Sequence, residues 1–315
     1  MVNLVPRGSH EKPADIYAVV AERAVAILRE QEAQLDRYAH YWLTSWGVTR
    51  DDTKSSVMTL PYGGTKYGNP AKVQKSIEKQ IKAGKKPRPD WLSPSKQNRS
   101  EYKRAIKVLS DAIWEAMSEV VRGPMDVMQY VRDCATALKA LEAGRRKAAT
   151  KNRSRASTPN LRLCWTSPCG FPVLTDYRVP KTRRTELRDP ATGRKLTFTY
   201  YAASAATDWR EVVGSAPPHF IHSLDASHLM RSVMRAHAAG IDQIAIVHDA
   251  FGTTPSKVGQ LAAVLRDEFA RMYSEDVLEG TLGKMLEAAG ATPPPPPSRG
   301  ALDVAAIAQS VYLFA

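Results

Sequence analysis

Four side chains placed at intervals of four residues could act together in this 315-residue chain. They are Arg50, Lys54, Met58 and Tyr62. On a helix this spacing produces one slowly drifting stripe, and two cations four positions apart repel each other by roughly 0.2–0.5 kcal/mol unless an anion covers them. A bound triphosphate would supply that anion, and the tyrosine ring further along could contact a base or a sugar. The alternative is an ordinary surface helix on which Asp51 and Asp52 neutralise the two cations.

A second candidate is a carboxylate that ends an apolar run. Asp249 follows Ile244–Val247, whose composition predicts a short buried strand. Because a buried carboxylate is costly unless it is paired or binds a metal, the pattern leaves a metal site and an ordinary strand-end turn equally open. His248 beside it is compatible with a structural histidine or a functional one.

The chain also carries an excess of positive charge. Its 45 Lys and Arg against 32 Asp and Glu give a formal net charge of +13, which favours a polyanionic partner such as nucleic acid. Residues 179–201 are predicted to form two strands around a turn at 189–193, and a basic two-stranded ribbon fits the major groove of DNA, although many exposed hairpins look the same. The cations of this hairpin include Arg183, Arg184, Arg188, Arg194 and Lys195. Another basic run, at 145–155, is predicted to be a loop that is either solvated or in contact with phosphates.

These residues must be positioned by a chain that is mainly helical up to about residue 141. Apolar spacing and capping residues predict helices from residue 13, at 35–46, at 49–62, at 70–83 and at 102–141. The pattern changes to strands at 161–201 and then predicts a helix at 223–239, the strand before Asp249 and a helix at 258–272. No apolar run reaches about 18 residues, so we expect no membrane-spanning helix.

Two further features concern the context of the chain. Leu4–Ser9 match an engineered thrombin-cleavage site, so residues 1–12 are interpreted as a tag and linker. The three cysteines are too few, and odd in number, for a disulfide framework, which indicates a reducing compartment.

Three motifs in one order resemble the bacteriophage-type single-subunit RNA polymerases. Arg50–Gly68 is similar to the fingers helix of that family, Pro218–Leu229 to its next palm motif and Ile246–Thr253 to its last catalytic motif. The ending Tyr312–Ala315 is similar to the short apolar terminus found there. The resemblance runs from about Asp15 to the last residue.

The resemblance implies an α+β fold of the right-hand polymerase architecture, in which mainly helical fingers with a β-hairpin are joined to part of a palm. It implies fingers at 13–170, a hairpin region of the promoter-specificity type at 171–213, and a C-terminal part of the palm with a terminal apolar tail at 214–315. The hairpin cations named above would then bind nucleic acid.

The resemblance also implies a substrate-binding role for the stripe. Arg50 and Lys54 would contact the triphosphate of the incoming nucleotide. Tyr62 would lie beside its sugar and base and, together with His222, would check for the ribose 2′-hydroxyl. Gly63 would let the chain turn beside the template. Met58 completes this substrate-binding set.

Catalysis is implied for a partly overlapping set. Its members are Asp249, Lys54, Tyr62 and His248. Asp249 would hold Mg²⁺ ions in a two-metal phosphoryl transfer, and His248 would lie close to the RNA 3′ end. The reaction would be attack by the RNA 3′-hydroxyl on the α-phosphate of an NTP, directed by a DNA template and promoter.

One part of the family pattern has no match. The second catalytic aspartate belongs to a palm motif upstream of Asp15, and nothing in this chain matches that motif. We therefore expect a partner polypeptide that carries the thumb and the first palm motif, so that this chain is one subunit of a split enzyme or an engineered fragment. We expect a cytoplasmic location, in the bacterial host if a phage encodes the chain, and no membrane partner.

Two alternative functions remain open from the sequence. A family A DNA polymerase fragment has a similar Lys…Tyr-Gly helix and a His-Asp motif, but there the residue after the catalytic aspartate is typically Glu, whereas this chain has Ala250. A non-catalytic DNA-binding protein could have kept the fold without the activity.

Overall fold

The computed structural model describes residues 13–88, 99–151, 160–247 and 249–313. Their contacts form two compact units, one of residues 13–129 with 297–313 and the other of residues 130–296. Helices dominate, and the described strands form antiparallel pairs. This mixture confirms the α+β class.

The first unit is built from helices that pack around α5. In chain order they are Ile16–Glu32 (α1), Arg37–Tyr41 (α2), Arg50–Thr59 (α3), Asn69–Lys82 (α4) and Arg99–Val120 (α5), with a π-helical turn at Trp42–Trp46. The core contains fully buried side chains at helical spacing, such as Leu109 and Ile113 of α5, and Trp42 donates its indole N–H to the Ala105 carbonyl at 2.9 Å. Each of the helices predicted before residue 84 is present.

The second unit combines long helices with strand pairs. Its elements are Arg122–Lys151 (α6, which begins in the first unit), Leu163–Thr166 (β1), Pro172–Thr175 (β2), Arg178–Arg188 (β3), Lys195–Thr207 (β4), Trp209–Ala238 (α7), Ile244–Val247 (β5), Ala250–Thr253 (β6), Val258–Ser274 (α8) and Lys284–Ala289 (α9). The strands pair β1 with β2, β3 with β4 and β5 with β6. The predicted hairpin within 179–201 is confirmed as β3–β4.

The prediction of a loop at 145–155 is wrong as far as residue 151, because α6 continues to Lys151. Two contacts stabilise the helix at Arg145 and Arg146. Arg146 pairs with the buried carboxylate of Glu142 one turn earlier, at 2.8 Å, and Arg145 donates to the Ala289 carbonyl at 2.7 Å. Residues 152–159 lie outside the described residues.

The helix predicted at 223–239 begins much earlier than expected. Asp208 caps α7 by accepting hydrogen bonds from the backbone N–H groups of Arg210 and Glu211 at 3.1 and 3.2 Å. The sequence pattern concealed this start because Pro217 and Pro218 lie inside the helix, where proline normally interrupts the hydrogen-bond ladder. The helix is therefore continuous across residues 213 and 214.

Within the described part of the chain, no helix combines the length and apolar character that crossing a membrane requires.

Candidate functional site

The stripe on α3 is exposed along its whole length. Arg50, Lys54 and Met58 of α3, and Tyr62 in the turn that follows it, all lie at the surface of the first unit, with Met58 48% and Tyr62 53% exposed. The helix predicted to reach residue 62 ends at Thr59. The opposite face of α3 is buried, and there Thr53 donates its hydroxyl to the Tyr17 carbonyl of α1 at 2.8 Å. Packing against α1 therefore turns the four stripe residues towards solvent together.

Arg50 is held at one end of the stripe by α1. Its Nε donates to Asp15, the residue that caps α1, and its guanidinium carbon lies 5.0 Å from the centre of the Tyr17 ring. The hydrogen bond to Asp15 raises the pKa of Arg50. Partial burial acts to raise the pKa of Asp15, but the bonds from Arg50 and from the Tyr17 and Ala18 N–H groups outweigh it and lower that pKa. Arg50 is thus oriented through Nε, and no further hydrogen bond of its guanidinium is made to the described residues.

Lys54 has a different environment. Its Nζ lies 6.0 Å from the centre of the Tyr17 ring, and no carboxylate of the described residues lies within 4.0 Å of it. The surface-helix alternative, in which Asp51 and Asp52 neutralise the stripe, holds only in part: the pKa of Asp51 is lowered first by Lys85 and also by the charges of Arg50 and Lys54. Asp51 pairs with Lys85 at 2.9 Å, and Asp52 is buried.

Asp52 is the buried support of the stripe. Its Oδ1 accepts hydrogen bonds from Trp46 Nε1 at 3.0 Å and Gln80 Nε2 at 2.8 Å, and its Oδ2 accepts from the backbone N–H and hydroxyl of Thr49 at 2.8 and 3.1 Å. This carboxylate caps α3 and also ties it to α4. Sequence reasoning missed this role, although Thr49 followed three residues later by an acidic residue is the pattern of a helix cap.

Two glycines fix the end of the stripe. The Gly63 N–H donates to the Leu60 carbonyl at 3.2 Å and the Gly64 N–H to the Thr59 carbonyl at 3.0 Å, which is the hydrogen-bond pair of a Schellman cap. Gly63 has a φ of +87°, and a Cβ on Gly64 would lie 3.0 Å from the Thr59 carbonyl oxygen. The chain therefore turns sharply after Tyr62, as the prediction for Gly63 requires, and leaves the ring at the end of the exposed face.

Asp249 lies in the second unit, in the turn between β5 and β6. The prediction that it ends a buried strand is wrong, because β5 is covered on one side only. Ile244 and Phe251 pack against a small cluster formed with α7 and α8, whereas Val247 is 67% exposed and Asp249 is itself exposed. A four-residue apolar run does not reveal which face has a neighbour. His248 lies outside the described residues.

The donor set around Asp249 can be assessed from its chemistry. Mg²⁺ prefers oxygen ligands and is commonly bound by one or two carboxylates together with substrate phosphates. Asp249 supplies one exposed carboxylate on a tight turn, and among the described residues no group of three or more His, Cys, Asp or Glu side chains could hold an ion. Asp249 thus fits as one ligand of such an ion, and the other ligands must come from elsewhere.

His222 is exposed on α7, one turn after His219. The Thr175 hydroxyl lies 2.9 Å from His219 Nδ1, and the Tyr177 ring stacks on the same imidazole with centroids 6.1 Å apart. Burial, and then the charge of His222, lower the pKa of His219. Sequence reasoning did not identify His219, which its spacing of three from His222 could have suggested.

The β3–β4 ribbon is exposed on both faces, and all five of its predicted nucleic-acid-binding cations are exposed. Residues directly opposite each other on paired strands share a face. One face presents Arg184 opposite Thr199 and Arg188 opposite Lys195, and the other presents Thr185 opposite Phe198. Arg194 lies in the connecting turn region. The first face also carries Glu186, and the second also carries Arg183 opposite Tyr200, so cations lie on both faces of the ribbon.

The structure gathers part of the predicted site. Arg50, Lys54, Met58, Tyr62 and Gly63 share one surface of the first unit, whereas His222, Asp249 and the ribbon belong to separate elements of the second.

Comparison with known proteins gives consistent matches. The sequence model of the DNA-dependent RNA polymerase family matches residues 1–291. The DNA-directed RNA polymerase of Enterobacteria phage T3 is 29% identical over 345 residues, which cover 100% of this chain and 37% of that protein. T7 RNA polymerase of Escherichia phage T7 is 28% identical, with 100% and 37% coverage. The mitochondrial DNA-directed RNA polymerase 1 of Arabidopsis thaliana is 31% identical, with 99% and 28% coverage. The chain thus spans between about a quarter and two fifths of the length of these curated relatives.

Proposed function

Because the chain belongs to the DNA-dependent RNA polymerase family, we propose that it supplies the fingers and part of the palm of a right-hand polymerase that transcribes a DNA template. The reaction is attack by the RNA 3′-hydroxyl on the α-phosphate of an NTP, with release of pyrophosphate. The observation that carries this proposal is the exposed α3 stripe, in which Lys54 has no carboxylate partner among the described residues.

The stripe binds and orients the nucleotide. Asp15 fixes Arg50 through Nε, so the two terminal nitrogens of the guanidinium can donate to phosphate oxygens. Lys54, one turn along, adds a second cation to the same triphosphate. Tyr62 presents an aromatic ring and a hydroxyl at the end of the stripe, where the chain turns at Gly63. Discrimination of the ribose is assigned to Tyr62 and His222 on the resemblance alone.

Asp249 acts as one carboxylate ligand of the Mg²⁺ ions. When bound, these ions stabilise the charge that develops on the attacking and leaving oxygens. The exposed position of Asp249 on a two-stranded turn suits a ligand that must meet substrate phosphates and a second carboxylate. His248 is assigned to the RNA 3′ end on the resemblance alone.

The second carboxylate comes from another polypeptide, which carries the thumb and the first palm motif. Asp249 is not part of any larger acidic cluster among the described residues, and one side of its strand pair is open. These two features support a palm that is completed by a partner. The ribbon contacts promoter DNA in the assembled enzyme through the face that carries Arg184, Arg188 and Lys195.

The assignment is tested on the complex isolated from its native source, by comparing Asp249→Asn and Lys54→Gln with Lys82→Gln in template-directed RNA synthesis. Lys82 is an exposed α4 lysine outside the stripe. We expect the Asp249 variant to lose at least about 10³-fold in rate and the Lys54 variant to lose about 10–100-fold in kcat/KM for NTP, the equivalent of one charged hydrogen bond. The Lys82 variant should remain within about twofold.

Two results would overturn the assignment. RNA synthesis that survives Asp249→Asn would remove the catalytic role and leave a DNA-binding protein, and a preference for dNTP over NTP would indicate a DNA polymerase. Activity of the purified chain without any second polypeptide would refute only the partner proposal.

A further inference from the structure

A groove of about 440 Å³ lies between α3 and α4 of the first unit. Four lysines line it: Lys54, Lys75, Lys79 and Lys85. Asp51 and small polar residues such as Ser55 and Ser76 line it as well. The groove shares Lys54 and Met58 with the stripe, whereas Lys75, Lys79 and Lys85 lie outside the residues assigned to the nucleotide.

The acidic side chains near the groove are already engaged. Asp51 pairs with Lys85 at 2.9 Å, and Asp52 is buried. Glu78 is the one carboxylate of α4, and it accepts hydrogen bonds from Gln74 at 2.8 Å and from the Tyr102 hydroxyl at 3.2 Å. These contacts leave one of the four groove lysines with a carboxylate partner.

The other three lysines make no ion pair with the described residues. Among the described residues, no carboxylate lies within 4.0 Å of Lys54, Lys75 or Lys79. Lys75 and Lys79 are exposed and stand one turn apart on α4, where like charges destabilise a helix. The pKa of Asp51 is lowered, first by its hydrogen bond with Lys85 and that lysine's charge, and also by the charges of Arg50 and Lys54. A concave surface with this excess of cations favours an anion.

We propose that this groove is a phosphate-binding site, with Lys54, Lys75 and Lys79 as its cationic ligands. Its ligand is a polyphosphate or a phosphodiester, because flexible ammonium groups bind phosphate oxygens as point charges and three of them surround one small volume. The two sources of that chemistry are free pyrophosphate or triphosphate and the backbone of a nucleic acid. The site does not depend on Asp249 or on a partner polypeptide, so it can be tested on the chain alone.

The test is calorimetric titration of the full chain with pyrophosphate in buffer without divalent cations. The double variant Lys75→Gln/Lys79→Gln removes two groove charges. The matched control, Lys82→Gln/Lys103→Gln, removes two exposed helical lysines of the same unit that do not line the groove. We expect the groove variant to bind pyrophosphate at least about tenfold more weakly and the control to stay within about twofold of the original chain. All four positions are exposed, and circular dichroism verifies that both variants stay folded.

A competition arm distinguishes the sources. The competitor is a single-stranded oligonucleotide without a terminal phosphate. If it displaces pyrophosphate from the original chain and binds the groove variant more weakly, the nucleic-acid backbone is the ligand. Displacement by tripolyphosphate alone identifies a free polyphosphate.

Three results would overturn the site. They are absence of pyrophosphate binding at millimolar concentration, equal weakening in the two double variants, and binding that falls with Arg50→Gln but not with Lys75→Gln/Lys79→Gln. The last result would place the anion on the stripe and would leave the proposed polymerase function untouched.

Discussion

Replacing Asp52 with alanine should destabilise the first unit strongly, because this fully buried carboxylate accepts four hydrogen bonds. Two of them come from Trp46 and Gln80, side chains that are themselves 2% and 5% exposed. Alanine would leave both donors in a site that water does not reach. It would also remove the group that accepts from Thr49 at the start of α3.

The magnitude follows from these contacts. A buried donor left without a partner costs about 1–3 kcal/mol, and loss of a helix cap costs about 1 kcal/mol. We therefore expect Asp52→Ala to lower the free energy of unfolding by about 3–5 kcal/mol. At roughly 3–5 °C per kcal/mol for a unit of this size, the melting temperature should fall by roughly 10–20 °C.

The neighbouring residue provides the control. Asp51 is exposed and makes one ion pair with Lys85, so Asp51→Ala should cost less than about 1 kcal/mol. Differential scanning calorimetry measures the two changes. The melting temperature of Asp52→Asn should lie between those of the two alanine variants. Its amide oxygen can still accept hydrogen bonds from Trp46 and Gln80, but its amide N–H faces the Thr49 N–H. Equal melting temperatures for the two alanine variants would refute the supporting role of Asp52.

Two further predictions concern backbone and pH. Gly64→Ala should lower the free energy of unfolding by about 1–3 kcal/mol, because its Cβ would lie 3.0 Å from the Thr59 carbonyl oxygen. Gly123→Ala, with open space around it, should be neutral or stabilising. If urea denaturation ranks the two variants the other way, the Schellman geometry is contradicted. Burial and the charge of His222 lower the pKa of His219, so the unfolded chain binds a proton more readily, and stability should fall as pH drops through the ordinary value of 6.5 and level off below the lowered pKa. His219→Gln should flatten this dependence in melting curves recorded at several pH values, and an unchanged slope would exclude His219 as its source.

Local spacing was sufficient to predict the elements that present the stripe and the ribbon. Residues four apart on a helix share a face whatever surrounds them, so the shared exposure of Arg50, Lys54 and Met58 needed only the helix and one packed side. The β3–β4 ribbon followed in the same way from two strand-forming runs around the turn at 189–193. In both cases the deciding interactions lie within about a dozen residues.

Tertiary contacts decided the features that the sequence did not reveal. The helical state of Arg146 depends on buried Glu142, and Arg145 is held by the Ala289 carbonyl more than a hundred residues away. The four apolar residues of β5 predicted burial, but only one side of the strand has a neighbour in the described chain. Asp52 was taken for a surface charge because its partner Gln80 stands on a different helix. The Glu142–Arg146 pair lies within one helical turn, but the contacts of Arg145, β5 and Asp52 with other elements join distant segments, which no local pattern contains.

The choice between a surface helix and an anion site on α3 depends on where the nearby carboxylates point. Three acidic residues lie near the stripe, namely Asp15, which the fold brings there from the start of α1, and Asp51 and Asp52, which neighbour it in sequence. In the structure Asp15 orients Arg50 through Nε, and Asp51 pairs with Lys85. Asp52 accepts hydrogen bonds from Trp46, Gln80 and Thr49. Lys54 is therefore left with a tyrosine ring 6.0 Å away instead of a carboxylate. On α3 itself the residues four positions before and after Lys54 are Arg50 and Met58, so no i,i+4 acid is available to pair with it. Its isolation between a stripe and a lysine-lined groove is the arrangement expected of a residue whose counter-ion is a bound phosphate.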